Sequence, residues 1–165
     1  MIEKLNFFLA SSSELAQERD QVELIIQRKN HSLVDRQMYF EVVRWEEMLQ
    51  SYGVDGVQNR FSAKIPECQV MIVLFHKKVG EFTKEEFDIA YNNFQSGLNP
   101  RFIFVYFKDE DLSIKEINPG ILKIYQMREQ IKDHKQMFID FKDITDLSFF
   151  RIISINRGKQ KGGRP

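Results

Sequence analysis

Five short runs of apolar residues are separated along the chain by longer segments of mixed polarity. The runs are rich in β-branched and aromatic residues, which favour strands, and none approaches the length of a membrane-spanning helix. We predict strands at residues 5–10, 38–45, 69–75, 101–107 and 136–141.

The segments between these runs carry apolar residues at helical intervals. After the first run, the apolar residues that recur among charges are Leu15, Val22, Ile25 and Ile26. We predict further helices at residues 57–65, from 80 to near 97, at 113–134 with a break at 118–120, and at 146–155.

Apolar strands that alternate with amphipathic helices indicate a parallel sheet covered on both faces. Right-handed crossovers leave few topologies for such a chain, and five strands favour the flavodoxin-like order 2-1-3-4-5. Strands 1 and 3 are then neighbours, and the loops that follow them meet at the carboxyl edge of the sheet. We therefore predict an α/β fold with a ligand crevice between these two loops.

Charge is distributed unevenly along the chain. The 165 residues carry 24 basic and 24 acidic side chains, but four of the basic ones, and no acidic one, follow Asn156. Residues 1–156 therefore hold 20 basic and 24 acidic side chains, which argues against nucleic acid as a direct partner because phosphate contacts need a basic face. We expect one domain at 1–156 and a basic, Gly- and Lys-rich tail at 157–165, for which a linker to a further domain is favoured over a basic interaction arm.

The cysteine and histidine content argues against two kinds of site. Cys68 is the single cysteine and precedes a strand, so we predict a small buried residue rather than a disulfide partner or a reactive thiol. The three histidines lack the spacing of metal ligands, and no metal site is expected. No N-terminal signal segment is evident, and together these features predict a cytoplasmic domain without membrane contact.

A carboxylate follows the third predicted strand, at the edge where open α/β sheets bind ligands. Phe82 and Thr83 stand four and three residues before Glu86, and we expect the first turn of a helix here. This order of aromatic ring, hydroxyl and carboxylate is expected where a glutamate acts on a sugar carbon beneath a stacked base. Thr83-x-x-Glu86 is also a capping box, in which both side chains only bond backbone N–H groups.

The loop after the first strand offers hydroxyl and backbone N–H groups at the start of a helix. Ala10, Ser11, Ser12 and Ser13 form this loop, and such a loop favours phosphate through its donors and the helix dipole. Ordinary N-capping by a serine is the alternative, since Ser11 and Glu14 have capping-box spacing. No glycine-rich dinucleotide fingerprint or Walker loop is present in the sequence, which argues against hydride transfer and P-loop hydrolysis.

Two segments of the chain carry a resemblance to a known family. Residues 8–20, Phe-Leu-Ala-Ser-Ser-Ser-Glu-Leu-Ala-Gln-Glu-Arg-Asp, together with residues 86–90, Glu-Phe-Asp-Ile-Ala, resemble the bacterial TIR-like domains at the N-termini of defence and signalling proteins. The motif Phe82-Thr83-x-x-Glu86 is similar to the Trp-Cys-x-x-Glu of TIR domains. It is also similar to the Gly-Thr-x-x-Glu of nucleoside 2-deoxyribosyltransferases, to which TIR-like domains are related.

The resemblance covers residues 4–107, and the order of elements extends it to 155. It implies cleavage of the bond between nicotinamide and ribose in NAD, which is then the substrate, with no cofactor. Glu86 takes the place of the catalytic glutamate, whose anion stabilises an oxocarbenium-like ribose or acts on the anomeric carbon. The substrate-binding residues on this interpretation are Ala10, Ser11, Ser12, Arg44, Trp45, Phe82 and Thr83.

Three of these side chains also have a purely structural interpretation. Trp45 either stacks on a base or packs into the core at the end of the second strand, and core packing is favoured. Phe82 fits a hydrophobic staple as well as a stacking ring, and Arg44 fits a solvated surface charge as well as a phosphate ligand. The segment 46–56 corresponds to the mobile loop that TIR domains use in self-assembly, but it lacks a proline-bearing motif.

The function predicted on this basis is an NAD-cleaving effector domain of bacterial anti-phage defence or signalling. It is expected to stay idle until a C-terminal sensor domain brings copies together through TIR-like surfaces. Two alternatives remain open. One is a nucleoside or nucleotide N-glycosidase or deoxyribosyltransferase that shares Glu86, and the other is a non-catalytic adaptor that only self-associates. A flavodoxin or phospho-receiver is disfavoured, because serines stand where a receiver has an acidic cluster.

Overall fold

The structure, a computed structural model, describes residues 1–44, 63–77, 81–133 and 138–143. Its strands and longer helices are β1 (Glu3–Ser11), α1 (Ala16–Leu33), β2 (Met38–Val43), β3 (Val70–Phe75), α2 (Glu81–Gln95), β4 (Phe102–Lys108), α3 (Pro119–Asp133) and β5 (Phe138–Phe141). Short 3-10 turns are found at Ser13–Leu15, Val34–Arg36, Ile65–Glu67 and Ile114–Glu116.

The five strands form one parallel sheet in the order β2-β1-β3-β4-β5. This confirms the predicted α/β, flavodoxin-like arrangement. β1 and β3 are neighbours, with Ala10 opposite Val73 and Ser11 opposite Leu74. The loops that follow these two strands therefore leave the sheet side by side at its carboxyl edge.

Each face of the sheet carries its own hydrophobic core, because successive strand residues point to opposite faces. On one face Phe7 packs in a core that includes Val22 of α1. On the other face Phe8 belongs to a core with Phe87 of α2 and Met127 of α3. Helices thus cover both faces, and every residue of β3 is buried between them. Such double burial explains the unbroken apolar sequence of this strand.

Some predicted boundaries shift. The second strand ends at Val43 instead of 45. The helix predicted at 113–134 is interrupted as expected, since a 3-10 turn precedes α3 and α3 begins at Pro119, where the missing N–H of proline costs no helical hydrogen bond. No helix in the described ranges has both the length and the apolar character needed to cross a membrane.

Several predictions concern segments outside the described residues. These are Trp45, the loop at 46–56, most of the helix at 57–65, the final helix at 146–155 and the tail at 157–165. They remain predictions.

Cys68 lies two residues before the start of β3 and is buried in the core on the α2 side of the sheet. Burial, helped by the charge of Glu67, raises the pKa of its thiol to about 12. A thiol with such a pKa stays protonated and unreactive at neutral pH. The prediction that Cys68 is a small buried residue is confirmed.

Candidate functional site

Glu86 lies on the buried stripe of α2. Thr83 and Glu86 are 4% and 8% exposed, and Phe87 and Ala90 on the same side of the helix are buried in the core. These positions are three or four residues apart, which brings them onto one helical face. Glu85, one residue away, is exposed. A carboxyl group and a hydroxyl group therefore lie among the apolar side chains on the buried face of α2.

Burial is the main cause of an unusually high pKa of the Glu86 carboxyl. It raises the pKa of the Glu86 carboxyl from its ordinary 4.5 to about 7, and the charge of nearby Glu85 adds to the rise. Among the described residues, no hydrogen bond or ion pair to the Glu86 side chain is found. At neutral pH the group therefore exists in both protonation states, as a proton-transfer group requires.

The bounds of α2 argue against the capping-box alternative. The helix begins at Glu81, so Thr83 is its third residue and Glu86 its sixth. Glu86 is thus in the second turn, not in the first as expected from the sequence. Between these two residues the structure shows neither of the reciprocal side-chain-to-backbone bonds of a capping box.

A capping box does occur elsewhere, at a position that sequence reasoning missed. Ser113 and Glu116 form it ahead of α3, and the Ser113 N–H donates to Glu116 Oε2 over 2.9 Å. This bond and the ammonium of Lys77 lower the pKa of Glu116 to about 2. The same Ser/Thr-x-x-Glu spacing thus goes with a lowered pKa at Glu116 and a raised pKa at Glu86, because only the Glu116 carboxylate receives hydrogen bonds.

The serine loop is built differently from a helix cap. Ser11 closes β1, and its Oγ donates to the Ser12 carbonyl oxygen over 3.2 Å and accepts from Nη1 of Arg19 over 3.0 Å. Ser12 precedes the first turn but makes no side-chain capping bond. Its side chain is 4% exposed, and its Oγ has no hydrogen-bond partner in the described part of the chain. Ala10 is buried and packs in the core on the α2 side.

The loops after β1 and β3 are bonded to each other. The backbone N–H of Lys77 donates to Oε1 of Glu14 over 2.9 Å. His76 lies between two carboxylates, with Nδ1 at 3.9 Å from Glu14 Oε1 and Nε2 at 2.6 Å from Glu110 Oε2. The sequence showed only that the three histidines lack the spacing of metal ligands. The position of His76 directly after β3 was a usable signal, because strand ends meet at this edge.

Arg44 follows the end of β2 and is 17% exposed. Its guanidinium lies 2.7 Å from a carboxylate oxygen of Asp20 and 2.7 Å from one of Glu23, both on α1. The structure therefore pairs Arg44 with two acidic groups, and it is not the solvated surface charge of the structural alternative. The side chain of Phe82 lies outside what the structure describes.

Ser11 ends β1, and Ser12 and Arg44 follow the carboxyl ends of β1 and β2. Thr83 and Glu86 lie on the buried face of α2, which packs against β1, β3 and β4. In the described ranges, no group of His, Cys, Asp and Glu side chains is arranged to hold a metal ion.

Comparisons with protein-family models, with curated proteins and with solved structures found no match to this chain.

Proposed function

We propose that this chain is an NAD-cleaving domain that hydrolyses the bond between nicotinamide and ribose. The observation that carries the proposal is the Glu86 carboxyl, which is buried on the core-facing side of α2 and has a pKa raised to about 7. Carboxyls whose pKa is strongly raised by burial are typical of functional sites. The resemblance of residues 8–20 and 86–90 to TIR-like domains supports NAD as the substrate.

The reaction needs an anion beside a cationic sugar and an acceptor for one proton of water. When the C–N bond breaks, its electron pair goes to the nicotinamide nitrogen, and an oxocarbenium-like ribose is left. The Glu86 carboxylate stabilises this charge and accepts the proton released by the attacking water. The products are nicotinamide and ADP-ribose. A pKa of about 7 suits a base that acts at neutral pH.

The same pKa favours a second candidate, a nucleotide N-glycosidase or deoxyribosyltransferase. A nucleoside base, unlike nicotinamide, leaves as an anion unless it is protonated. Since the Glu86 carboxyl is partly protonated at neutral pH, it is suited to donate that proton.

The resemblance also supports the regulatory part of the proposal. The domain acts in the bacterial cytoplasm, in anti-phage defence or signalling. It becomes active when a C-terminal sensor domain brings copies together.

The test is NAD turnover, followed by nicotinamide release, with the chain clustered by fusion to an oligomerising partner. Glu86→Gln removes the anion and keeps the shape of the side chain. We expect it to lower the rate on the order of 100-fold or more, as does the loss of a general base in other enzymes. Glu85→Gln is the matched control, because it removes the neighbouring carboxylate from the exposed side of α2.

Three results are informative. Equal loss in both variants would mean that the helix, not the carboxyl, is responsible. Absence of NAD cleavage by the clustered wild type contradicts the proposal, and release of a base from nucleotides by the same protein would then establish the second candidate. Absence of both activities would leave the adaptor.

A further inference from the structure

Four large apolar side chains are exposed in α3 and in the segment ahead of it. Ile114, Ile117, Leu122 and Tyr125 are each more than half exposed, although the opposite side of α3 is buried in the core. Single exposed apolar residues are ordinary on a protein surface, whereas a contiguous group of them is typical of an interaction site. We call these four residues the α3 patch.

Local geometry makes the α3 patch contiguous. Ile117 follows Ile114 across a 3-10 turn, where its N–H donates to the Ile114 carbonyl oxygen over 3.3 Å, and residues three apart in such a turn lie on the same side. Asn118 caps α3, because its Oδ1 accepts two backbone N–H groups of the first turn. Ile117 and Leu122 then occupy the two positions that form a hydrophobic staple, yet both keep more than half of their surface exposed. Tyr125, three residues further on, lies next to Leu122 on the helix surface.

Charges of opposite sign flank the two ends of the α3 patch. Lys115, next to Ile114, is exposed and has no ion-pair partner among the described residues. The start of α3 adds a partial positive charge at this end. Glu129, one turn beyond Tyr125, is exposed and lies 2.6 Å from the ammonium of Lys132. An exposed pair of this kind contributes little to stability, so Glu129 is available to a second cation.

We propose that the α3 patch binds the same patch of a second copy of this chain, with the two α3 helices antiparallel about a two-fold axis. In such a contact one surface serves both copies and must be complementary to itself. An axis between Leu122 and Tyr125 brings Leu122 of each copy against Tyr125 of the other. The same axis brings Glu129 of each copy level with the positive start of the other α3 and with Lys115. The apolar centre and the charges at both ends therefore match.

The size of the α3 patch determines how strong this contact is. One helix face and one turn form a contact at the small end of specific interfaces, well below those of permanent dimers. Copies therefore associate only where their local concentration is high. This is the regulation that the proposed function requires, and the proposal rests on that function only in linking the contact to activity.

The α3 patch is joined to the carboxyl edge of the sheet. Glu116 lies in the same 3-10 turn as Ile114 and accepts a hydrogen bond from the ammonium of Lys77 over 2.9 Å. Lys77 follows the end of β3 by two residues. A second copy bound at the patch is thus connected, through one ion pair, to the loop that leads from β3 into α2.

The test is sedimentation equilibrium of the whole chain over a wide range of concentrations. We expect a weak monomer–dimer equilibrium in wild type, and Leu122→Lys should raise its dissociation constant on the order of 10-fold or more, as loss of a central apolar contact does in other interfaces. Leu24→Lys is the matched control, because Leu24 is also exposed but lies on α1, which covers the other face of the sheet. Glu129→Lys should weaken association, and addition of Lys115→Glu to it should restore association.

A chain that stays monomeric at every concentration would overturn the proposal. Equal effects of Leu122→Lys and Leu24→Lys, or a double charge reversal that does not restore association, would overturn it as well. Urea denaturation of Leu122→Lys is the second measurement. A lower free energy of unfolding with unchanged association would mean that the α3 patch packs within the chain, which also contradicts the proposal.

This proposal and the proposed function can fail separately. Dimerisation through the α3 patch by a chain that leaves NAD intact when clustered would contradict only the NAD-cleaving function. NAD cleavage by a chain that remains monomeric would contradict only the contact between α3 patches.

Discussion

At the scale of single residues, burial of the Glu86 carboxyl lowers the stability of the fold at neutral pH and also suits the group to proton transfer. Its carboxyl is buried, and its pKa of about 7 lies above the ordinary 4.5. The folded protein therefore holds this proton more tightly than the unfolded chain does. A residue that weakens the fold at neutral pH is retained more readily in a site than in a structural role.

The difference between the pKa of Glu86 in the folded protein and in the unfolded chain predicts how stability depends on pH. Below pH 4.5 the carboxyl is protonated in both the folded and the unfolded chain and costs nothing. As the pH rises from 4.5 to about 7, the unfolded chain ionises first, and Glu86 destabilises the fold progressively, by on the order of 3 kcal/mol in full. Glu86→Gln should remove this loss, so that the variant is more stable than wild type at pH 8.

Urea denaturation at pH 4.5 and pH 8 measures this contribution. The difference between the two pH values should be smaller in Glu86→Gln than in wild type. The exposed Glu85→Gln serves as the control, and it should keep most of the wild-type dependence. An identical pH dependence in wild type and Glu86→Gln would show that Glu86 ionises normally and would also weaken its assignment as a base.

At the scale of elements, α1 protects the edge of the sheet. β2 is an outer strand, and the side-chain amide of Asn30 on α1 bonds the Phe40 backbone twice. Its Nδ2 donates to the Phe40 carbonyl over 2.8 Å, and its Oδ1 accepts the Phe40 N–H over 2.7 Å. One amide therefore takes the place of a further strand at this residue and covers groups that an edge would leave unpaired.

Replacement of Asn30 should be costly for this reason. Asn30→Ala leaves a buried backbone donor and acceptor of Phe40 without partners, and we expect a loss of about 2 kcal/mol or more in the free energy of unfolding. Arg28→Ala, on an exposed position of the same helix, should change it by less than about 0.5 kcal/mol. Chemical denaturation of both variants measures the effect, and equal losses would mean that general helix propensity, not the edge contact, is responsible.

At the scale of the whole molecule, the proposed function predicts control by assembly. If the domain is idle until copies are brought together, specific activity should rise with protein concentration and should be highest in a fused oligomer. Turnover of NAD is measured over a range of concentrations, and for a dimeric and a higher oligomeric fusion. Specific activity that stays constant across these samples would contradict activation by self-association and leave the chemistry of Glu86 untouched.

Much of the fold was predictable, because an element that buries one or both of its faces has apolar residues at regular intervals in its sequence. β3 is apolar at every position since helices cover both of its faces, and an unbroken apolar run between helices is characteristic of a central parallel strand. Pro119 marked the break before α3 for a local steric reason. Strand ends were less predictable, as at Val43, because the last pairs of a sheet depend on neighbours that are distant in sequence.

The site was predictable only in part. Glu86 was predicted as the catalytic residue from its place after a strand and from the resemblance to TIR-like domains, and this stays a prediction. Thr83-x-x-Glu86 and Ser113-x-x-Glu116 look alike in sequence. Only the second is a capping box. Which residue begins a helix depends on the packing of the whole segment. The same packing decides whether the carboxyl caps the helix or is buried on its core-facing side.

The sequence by itself determined the class of the fold, the order of its strands and the edge at which chemistry is expected, because these follow from local periodicity and from the handedness of crossovers. Only the tertiary structure decided which polar groups are buried. Arg19 and Asn30 look like ordinary surface residues in sequence, yet each is less than 10% exposed. Burial of a polar side chain depends on distant elements that close over it, and no short sequence pattern records that contact.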